Sequence, residues 1–138
     1  MVFIKERKIY GYECDIYGHL NNSNYLQFYE SARSDALTDM NFPIKKFNEM
    51  GVHLYIARIE IDYKAGVFLE DTVCIKSWMS TANRLGSTWV QKMYDSKGQL
   101  CNQVQVKVVH AKNGKPFRID HETASFFIHF VKKEDENA

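Results

Sequence analysis

The chain has 138 residues, which is the size of one domain. Hydrophobic residues make up 45% and charged residues 25%, values that exclude disordered and fibrous classes. Lys and Arg number 18 against 17 Asp and Glu, for a net charge of +1, so a protein that binds nucleic acid through phosphate contacts is not expected.

The cysteines and the apolar segments predict a cytoplasmic protein. Cys14, Cys74 and Cys101 are an odd number and lie far apart, so they form neither a disulfide framework nor a zinc ribbon. The first fifteen residues lack the apolar core of a signal peptide, and no segment approaches the ~20 apolar residues of a membrane helix. We expect no membrane association, and a charged tail from about residue 132.

The first half of the chain predicts one strand and one long helix. Residues 3–12 alternate weakly and suit a strand. The polar cluster 18–24 contains Asn and Ser, whose side-chain oxygens are good helix N-caps. Tyr25, Phe28, Tyr29, Ala32 and Ala36 then form an apolar stripe of a helix that reaches about residue 38. Residues 43–50 suit a short second helix or a turn.

The second half predicts strands joined by tight turns. Over residues 52–63 the apolar period is two, which places Tyr55, Ala57, Ile59, Ile61 and Tyr63 on one face. Further strands are expected over 73–79, 88–94 and 100–108, with turns at 83–86 and 95–98. Residues 121–131 fit either a strand or a helix.

This order of elements predicts an α+β fold, with one antiparallel sheet and one helix on its face. A single helix covers only part of such a wide sheet. The remaining apolar surface predicts a homo-oligomer, at least a dimer.

One segment carries candidate chemistry. Asp15 lies between the first strand and the start of the main helix, where free N–H groups and a partial positive charge can bind a polarised carbonyl. A carboxylate and an oxyanion site are two parts needed for acyl transfer. Considered alone, Asp15 and His19 are typical of ordinary cap and turn residues, and with Cys14 they lack the spacing of a zinc site.

The surrounding residues resemble a known family. Asp15, Gly18-His19-Leu20-Asn21-Asn22, Tyr25 and Glu30-Ser31-Ala32-Arg33 are similar to the signature of hotdog-fold thioesterases related to 4-hydroxybenzoyl-CoA thioesterase. Weaker similarity extends over roughly residues 3–112. The resemblance implies a single hotdog domain over 1–138, a curved antiparallel sheet wrapped around one long helix. Glu13, Gly66 and Glu70 depart from the family's usual residues and alter turns.

The resemblance also implies roles for individual residues. Asp15 is the catalytic carboxylate, either as nucleophile or as general base. The backbone N–H of Asn22 polarises the thioester carbonyl, and His19 lines the site or holds the loop. Gly18 permits a tight turn or close approach of substrate. Tyr25 faces along the helix, towards either substrate or core.

The implied substrate is an acyl-CoA or acyl carrier protein thioester, and the implied assembly is a homodimer or homotetramer. Arg84 is the first candidate for binding phosphates, followed by Lys64 and Arg58. Candidate acyl-pocket residues are Tyr25, Tyr29, Tyr55 and Ile59, whose aromatic rings favour short or aromatic acyl groups. Glu30 is expected on the helix surface or in a buried pair. Neither a cofactor nor a metal is expected.

Two alternatives remain open at this point. A non-catalytic acyl-CoA-binding hotdog protein would keep the groove without needing Asp15. A hotdog enoyl-CoA hydratase or dehydratase would use Asp15 and His19 as an acid and base pair.

Overall fold

The computed structural model describes residues 1–137. The described elements are, in chain order, β1 (Phe3–Lys8), a 3-10 turn (Gly11–Glu13), α1 (Tyr25–Asp39), α2 (Ile44–Glu49), β2 (His53–Tyr63), β3 (Thr72–Ala82), β4 (Gly86–Tyr94), β5 (Leu100–Lys112), β6 (Lys115–Pro116) and α3 (His121–His129). The first strand ends at Lys8, earlier than the sequence indicated, because the chain turns at Gly11.

The strands form one antiparallel sheet in the order β1-β3-β4-β5-β2, with β6 paired to β5. Helix α1 packs across one face of the sheet. Its buried residues include the whole predicted stripe, which confirms the helix and its orientation. The predicted α+β architecture is also confirmed, and β2 lies at an edge with only β5 beside it.

A β-bulge in β2 changes which residues face α1. Ile56 pairs with Val108, but Arg58 pairs with Lys107, so Ala57 is an extra residue between them. The bulge reverses the alternation before it, since residues directly opposite in an antiparallel pair share a face. Tyr55 therefore lies on the outer face, and the prediction that it shares a face with Ile59 was wrong.

The turn between β3 and β4 requires a glycine. A Cβ at Gly86 would lie 2.0 Å from the carbonyl oxygen of Val108, so β4 and β5 can approach each other only if residue 86 has no side chain. This close approach sets the point from which β4 and β5 pair along their length.

Residues 121–131 contain a helix, which resolves the ambiguity of their pattern. Asp120 caps α3 by accepting a hydrogen bond from the Thr123 N–H at 2.9 Å. The ring of Phe127 packs on Phe42 and Phe47, and the three form an aromatic cluster beside α2. Much of the chain's aromatic content is therefore in its core.

The charged tail lies against the body of the domain. The Lys132 N–H donates to the Met79 carbonyl at 2.9 Å, and Glu136 accepts from the N-terminal amine at 3.1 Å. Within residues 1–137, no helix has both the length and the apolar character required to cross a membrane.

Candidate active site

Asp15 opens a tight turn that ends at His19. Its Oδ1 accepts the N–H of Tyr17 at 2.8 Å and that of His19 at 3.2 Å. Its backbone bonds to His19 and Gly18 close the turn, and Gly18 has a φ of +77°. Gly18 therefore supplies a left-handed backbone conformation, as glycine does readily. The second carboxylate oxygen, Oδ2, has no protein partner among the described residues.

The same turn occurs a second time between β4 and β5. Asp95 Oδ1 accepts the N–H groups of Lys97 and Gln99, each at 2.9 Å, and Gly98 has a φ of +82°. The turn geometry alone therefore gives Asp15 an ordinary structural role. Only the surroundings of Asp15 distinguish it from Asp95.

Those surroundings include an uncapped helix start. No side chain within residues 1–137 caps α1, although Asn and Ser precede it. Asn21 Oδ1 accepts from Ser23, and Asn24 Nδ2 donates to the Glu13 carbonyl at 2.8 Å. The prediction that these side chains cap the helix was wrong. In the described part of the chain, the N–H of Asn22 has no acceptor.

A partly buried ion pair holds the loop that carries Asp15. Glu13, which is 5% exposed, pairs with Arg7 and accepts the Tyr10 N–H at 3.0 Å. The guanidinium of Arg7 lies 3.7 Å from the centre of the Phe28 ring in α1. Glu13 also accepts from Asn21 through its carbonyl, so one residue ties the loop to both β1 and α1. In the sequence, Glu13 is recognisable only as a departure from the family pattern.

Asp15 opens onto a cleft of about 540 Å³. Four predicted site residues share this cleft, namely Asp15, His19, Asn22 and Tyr25. The remaining lining residues are Leu20, Tyr63, Lys64, Ala65 and Gly66. The His19 ring meets the Phe68 ring edge-on at 4.7 Å, which fixes its position at the rim. Lys64 brings a cation to the border of the cleft.

Two tyrosines form the wall of the cleft beside α1. The rings of Tyr25 and Tyr63 meet at right angles with their centroids 5.2 Å apart. Burial, followed by the nearby Cys101 and Tyr63, raises the pKa of Tyr25 to about 12, so its phenol stays protonated at neutral pH. Tyr63 Oη donates to the Asn22 carbonyl at 3.3 Å. The alternating pattern predicted Tyr63 on this face of β2, but nothing in the sequence indicated that Tyr63 borders the cleft.

A row of buried hydrogen bonds fixes α1 on the sheet. Tyr29 Oη donates to Asn102 Oδ1 at 2.7 Å. Gln91 Nε2 donates to the Tyr29 carbonyl and to Ser77 Oγ, each at 2.9 Å. Arg33 donates to Gln91 Oε1 at 2.8 Å, and burial lowers the pKa of its guanidinium. Because buried polar groups are costly unless paired, this row specifies where α1 sits relative to the strands.

Three predicted substrate-binding residues do not line the cleft, namely Gly18, which lies within the Asp15 turn, Ile59 and Arg84. Ile59 is half-buried further along β2, opposite Val106. Arg84 is at the far end of the sheet, where its Nε donates to the Ile119 carbonyl at 2.7 Å. In β5, Asn102 lies opposite Tyr63 at the cleft, and Val109 lies opposite Gly86 near Arg84. These two β5 residues are seven positions apart, which corresponds to about 24 Å. Arg84 and Asp15 therefore do not meet within one chain.

The neighbouring Cys14 is not favoured as a nucleophile. Burial and the neighbouring charges of Asp15 and Glu13 raise the pKa of the Cys14 thiol, which disfavours the thiolate. Within residues 1–137, no three His, Cys, Asp or Glu side chains are grouped as metal ligands.

The chain matches one family model over most of its length. Residues 11–127 match the model described as "Thioesterase-like superfamily". A "Putative esterase" of Aquifex aeolicus is 27% identical over 122 residues, which are 88% of this chain and 94% of that protein. "Long-chain acyl-CoA thioesterase FadM" of Escherichia coli is 34% identical over 79 residues, covering 55% of this chain and 57% of that protein.

A solved structure shares the fold. The DHNA-CoA thioesterase of Staphylococcus aureus superposes with a TM-score of 0.82 at 25% identity, covering 86% of this chain and 81% of that chain.

Proposed function

The chain belongs to the thioesterase-like superfamily, and we propose that it hydrolyses acyl-CoA thioesters with Asp15 as the catalytic carboxylate. It is a thioesterase with the hotdog fold, like its relatives named as acyl-CoA thioesterases and thioester hydrolases. Its substrate class is acyl-CoA. Coenzyme A is the thiol that leaves when the thioester is hydrolysed.

One observation supports this mechanism above the others. A carboxylate with a free oxygen lies in the same cleft as a helix start whose N–H groups are uncapped. The N–H of Asn22 and the first turn of α1 would bind the carbonyl oxygen of the thioester and stabilise the negative charge that develops on it. Asp15 Oδ2 would then act at the carbonyl carbon, either directly as nucleophile or through a water as general base.

Neighbouring residues support these two groups. His19 and Gly18 hold the Asp15 turn, since both close its hydrogen bonds. Tyr25 forms the wall against which the thioester lies, and Lys64 offers a cation to the phosphates of coenzyme A. Acyl carrier protein as a carrier of the acyl group remains an alternative to coenzyme A.

The assembly is part of the proposal. β2 is an eleven-residue edge strand, and Tyr55 and Ile56 are 48% and 45% exposed on its two faces. Long edge strands with exposed apolar residues pair readily with another chain. A homodimer formed along β2, or a homotetramer built from it, would cover this edge. A second chain is also required if Arg84 is to reach a coenzyme A bound at Asp15.

Light scattering tests the assembly directly. We expect a mass of two or four times the 16.1 kDa of one chain. A mass of one chain at micromolar concentration would contradict the dimer and any role of Arg84 in the site.

Asp15→Asn tests the mechanism. Asparagine keeps an oxygen for the turn but removes the charge, so we expect kcat/KM for acyl-CoA to fall at least ~100-fold. Asp95→Asn is the matched control, because it makes the same change in the same turn outside the cleft. Release of coenzyme A is followed with a thiol reagent, and thermal unfolding is measured for both variants.

The two variants separate catalysis from folding. Equal loss of activity in both would assign Asp15 to structure alone. Wild-type activity in Asp15→Asn would refute the proposal. Tight acyl-CoA binding without hydrolysis would identify a binding protein, and hydration of enoyl-CoA without thiol release would identify a hydratase.

A further inference from the structure

The two groups proposed for catalysis lie at the ends of one short segment of the chain. Asp15 and Asn22 are seven residues apart, and the segment between them belongs to no helix or strand of the described structure. Catalysis requires that a carboxylate and an oxyanion donor keep a fixed separation, because a misplacement of about 1 Å can lower the rate ~100-fold. The separation therefore depends on what holds the two ends of this segment.

Glu13 holds both ends. It comes two residues before Asp15, and its backbone carbonyl accepts the Asn21 N–H at 3.0 Å and the side-chain amide of Asn24 at 2.8 Å. These two donors stand on either side of Asn22 in the chain. The position of Glu13 therefore determines where the proposed oxyanion donor lies relative to Asp15.

Arg7 in β1 determines where Glu13 lies. The side chain of Glu13 is only 7% exposed, and one of its carboxylate oxygens pairs with the Arg7 guanidinium. The other oxygen accepts the Tyr10 N–H at 3.0 Å. A carboxylate buried to this extent is costly without a charged partner, so separating the pair would be strongly unfavourable.

The same guanidinium contacts the start of α1. It lies 3.7 Å from the centre of the Phe28 ring, and Phe28 is a buried residue in the first turn of the helix. A planar guanidinium can stack on an aromatic ring and bind a carboxylate at the same time, whereas the ammonium group of lysine is a compact point charge. Arg7 therefore joins the loop that carries Asp15 to the helix end that forms the proposed oxyanion site.

We propose that Arg7 is a positioning residue of the thioesterase, which sets the separation between the Asp15 carboxylate and the Asn22 N–H from behind the cleft. The inference rests on the proposed function, because this separation matters only if both groups act on the thioester. The lining of the cleft includes none of Arg7, Glu13 and Phe28. Loss of Arg7 should consequently lower kcat and leave substrate binding nearly unchanged.

Steady-state kinetics of two Arg7 variants provide the first test. We expect Arg7→Met to lower kcat about 10- to 100-fold with KM within about threefold of the wild type, because Glu13 loses its partner and the loop shifts. Arg7→Lys keeps the charge, so its kcat should lie between those of Arg7→Met and the wild type. A variant that unfolds more easily but keeps the wild-type kcat would overturn the inference and leave Arg7 a structural residue.

Lys5→Met is the matched control. Lys5 lies in the same strand and also pairs with α1, through Asp35 at 2.9 Å, but both side chains are about half exposed. This pair joins α1 two turns beyond Phe28. The control should leave kcat unchanged, and a loss equal to that of Arg7→Met would contradict a specific role of Arg7.

A double-mutant cycle shows whether Arg7 acts through Glu13. Glu13→Gln keeps an acceptor for the Tyr10 N–H and removes the charge that Arg7 pairs with. We expect Arg7→Met combined with Glu13→Gln to lose no more kcat, within about twofold, than the more impaired single variant, because the two residues form one unit. Losses that multiply would overturn the inference.

Amide hydrogen exchange gives a readout that does not depend on turnover. The Asn21 N–H, bonded to the Glu13 carbonyl, should exchange at least ~10-fold faster in Arg7→Met, whereas the Val106 N–H in β5 should not. Unchanged exchange at Asn21 would overturn the inference, and Arg7→Lys serves for both measurements if Arg7→Met does not fold. A wild-type chain that hydrolyses no acyl-CoA would refute the proposed function itself, whereas an active wild type with a fully active Arg7→Met variant would overturn only the role of Arg7.

Discussion

Tyr63 links the edge strand β2 to the loop that precedes α1. Its hydroxyl donates to the Asn22 carbonyl at 3.3 Å, and its ring packs on Tyr25. We expect Tyr63→Phe to keep the ring contact but to loosen the peptide that carries the proposed oxyanion donor. The result should be a three- to tenfold lower kcat with little change in KM, because the hydrogen bond positions a group used in the transition state.

Steady-state kinetics with one acyl-CoA substrate check this prediction. Tyr55→Phe removes a hydroxyl from the same strand on the outer face and should leave kcat unchanged. The two variants should also unfold within about 1 kcal/mol of the wild type, as expected for one exposed hydrogen bond. A change in KM with no change in kcat would indicate that Tyr63 contributes to substrate binding and not to the transition state.

At the level of single residues, the sequence does not distinguish a catalytic turn from a structural one. Asp15 and Asp95 belong to the same Asp-x-x-Gly pattern and make the same hydrogen bonds. The local pattern therefore predicts a turn at both places and chemistry at neither. The distinction depends on which helix end and which strand residues lie nearby, and only the family resemblance carried that information.

At the scale of elements, the start of α1 has no side-chain cap and is also the proposed oxyanion site. If the N–H of Asn22 stabilises the developing oxyanion, its side chain is dispensable. Asn22→Ala should keep kcat/KM within about threefold of the wild type. Asn22→Pro removes the N–H and should lower kcat/KM by 10²–10³-fold, the usual cost of losing one oxyanion donor.

Far-ultraviolet circular dichroism and thermal unfolding serve as the check that both Asn22 variants are folded. Equal activity of the folded Ala and Pro variants would exclude the Asn22 N–H from the oxyanion site.

The sequence predicted most elements, but not their irregularities. The helical stripe of α1 and the alternation of the strands follow from burial on one face, so they were visible in the pattern. The bulge at Ala57 was not, because an apolar residue stands at every position from 54 to 57 and fits either register. The caps were also mispredicted, since Asn24 turns its amide towards the Glu13 carbonyl.

For the whole molecule, the burial of His110 predicts that the free energy of unfolding depends on pH. It is 5% exposed, and its Nδ1–H donates to the Arg84 carbonyl at 2.9 Å. Burial lowers the pKa of His110 despite that hydrogen bond. As the pH falls below about 6.5, the unfolded chain binds a proton more readily than the folded one, so the free energy of unfolding decreases.

Urea unfolding between pH 7.5 and 5.5 measures this loss. The contribution of one histidine should not exceed ~1.4 kcal/mol per pH unit. His110→Gln should reduce the slope, whereas His53→Gln, at an exposed position, should not. An unchanged slope in His110→Gln would show that other groups control stability in this range.

The bulge in β2 also bears on how such a protein can change over time. Deleting Ala57 would remove the extra residue and restore regular alternation, with Ile56 still opposite Val108 and Arg58 still opposite Lys107. The same side chains would therefore face α1, and Asp15 and the start of α1 would stay in place. An edge strand, which few neighbours constrain, thus offers a lineage a position where one codon can be lost without reversing the faces of the strand on either side.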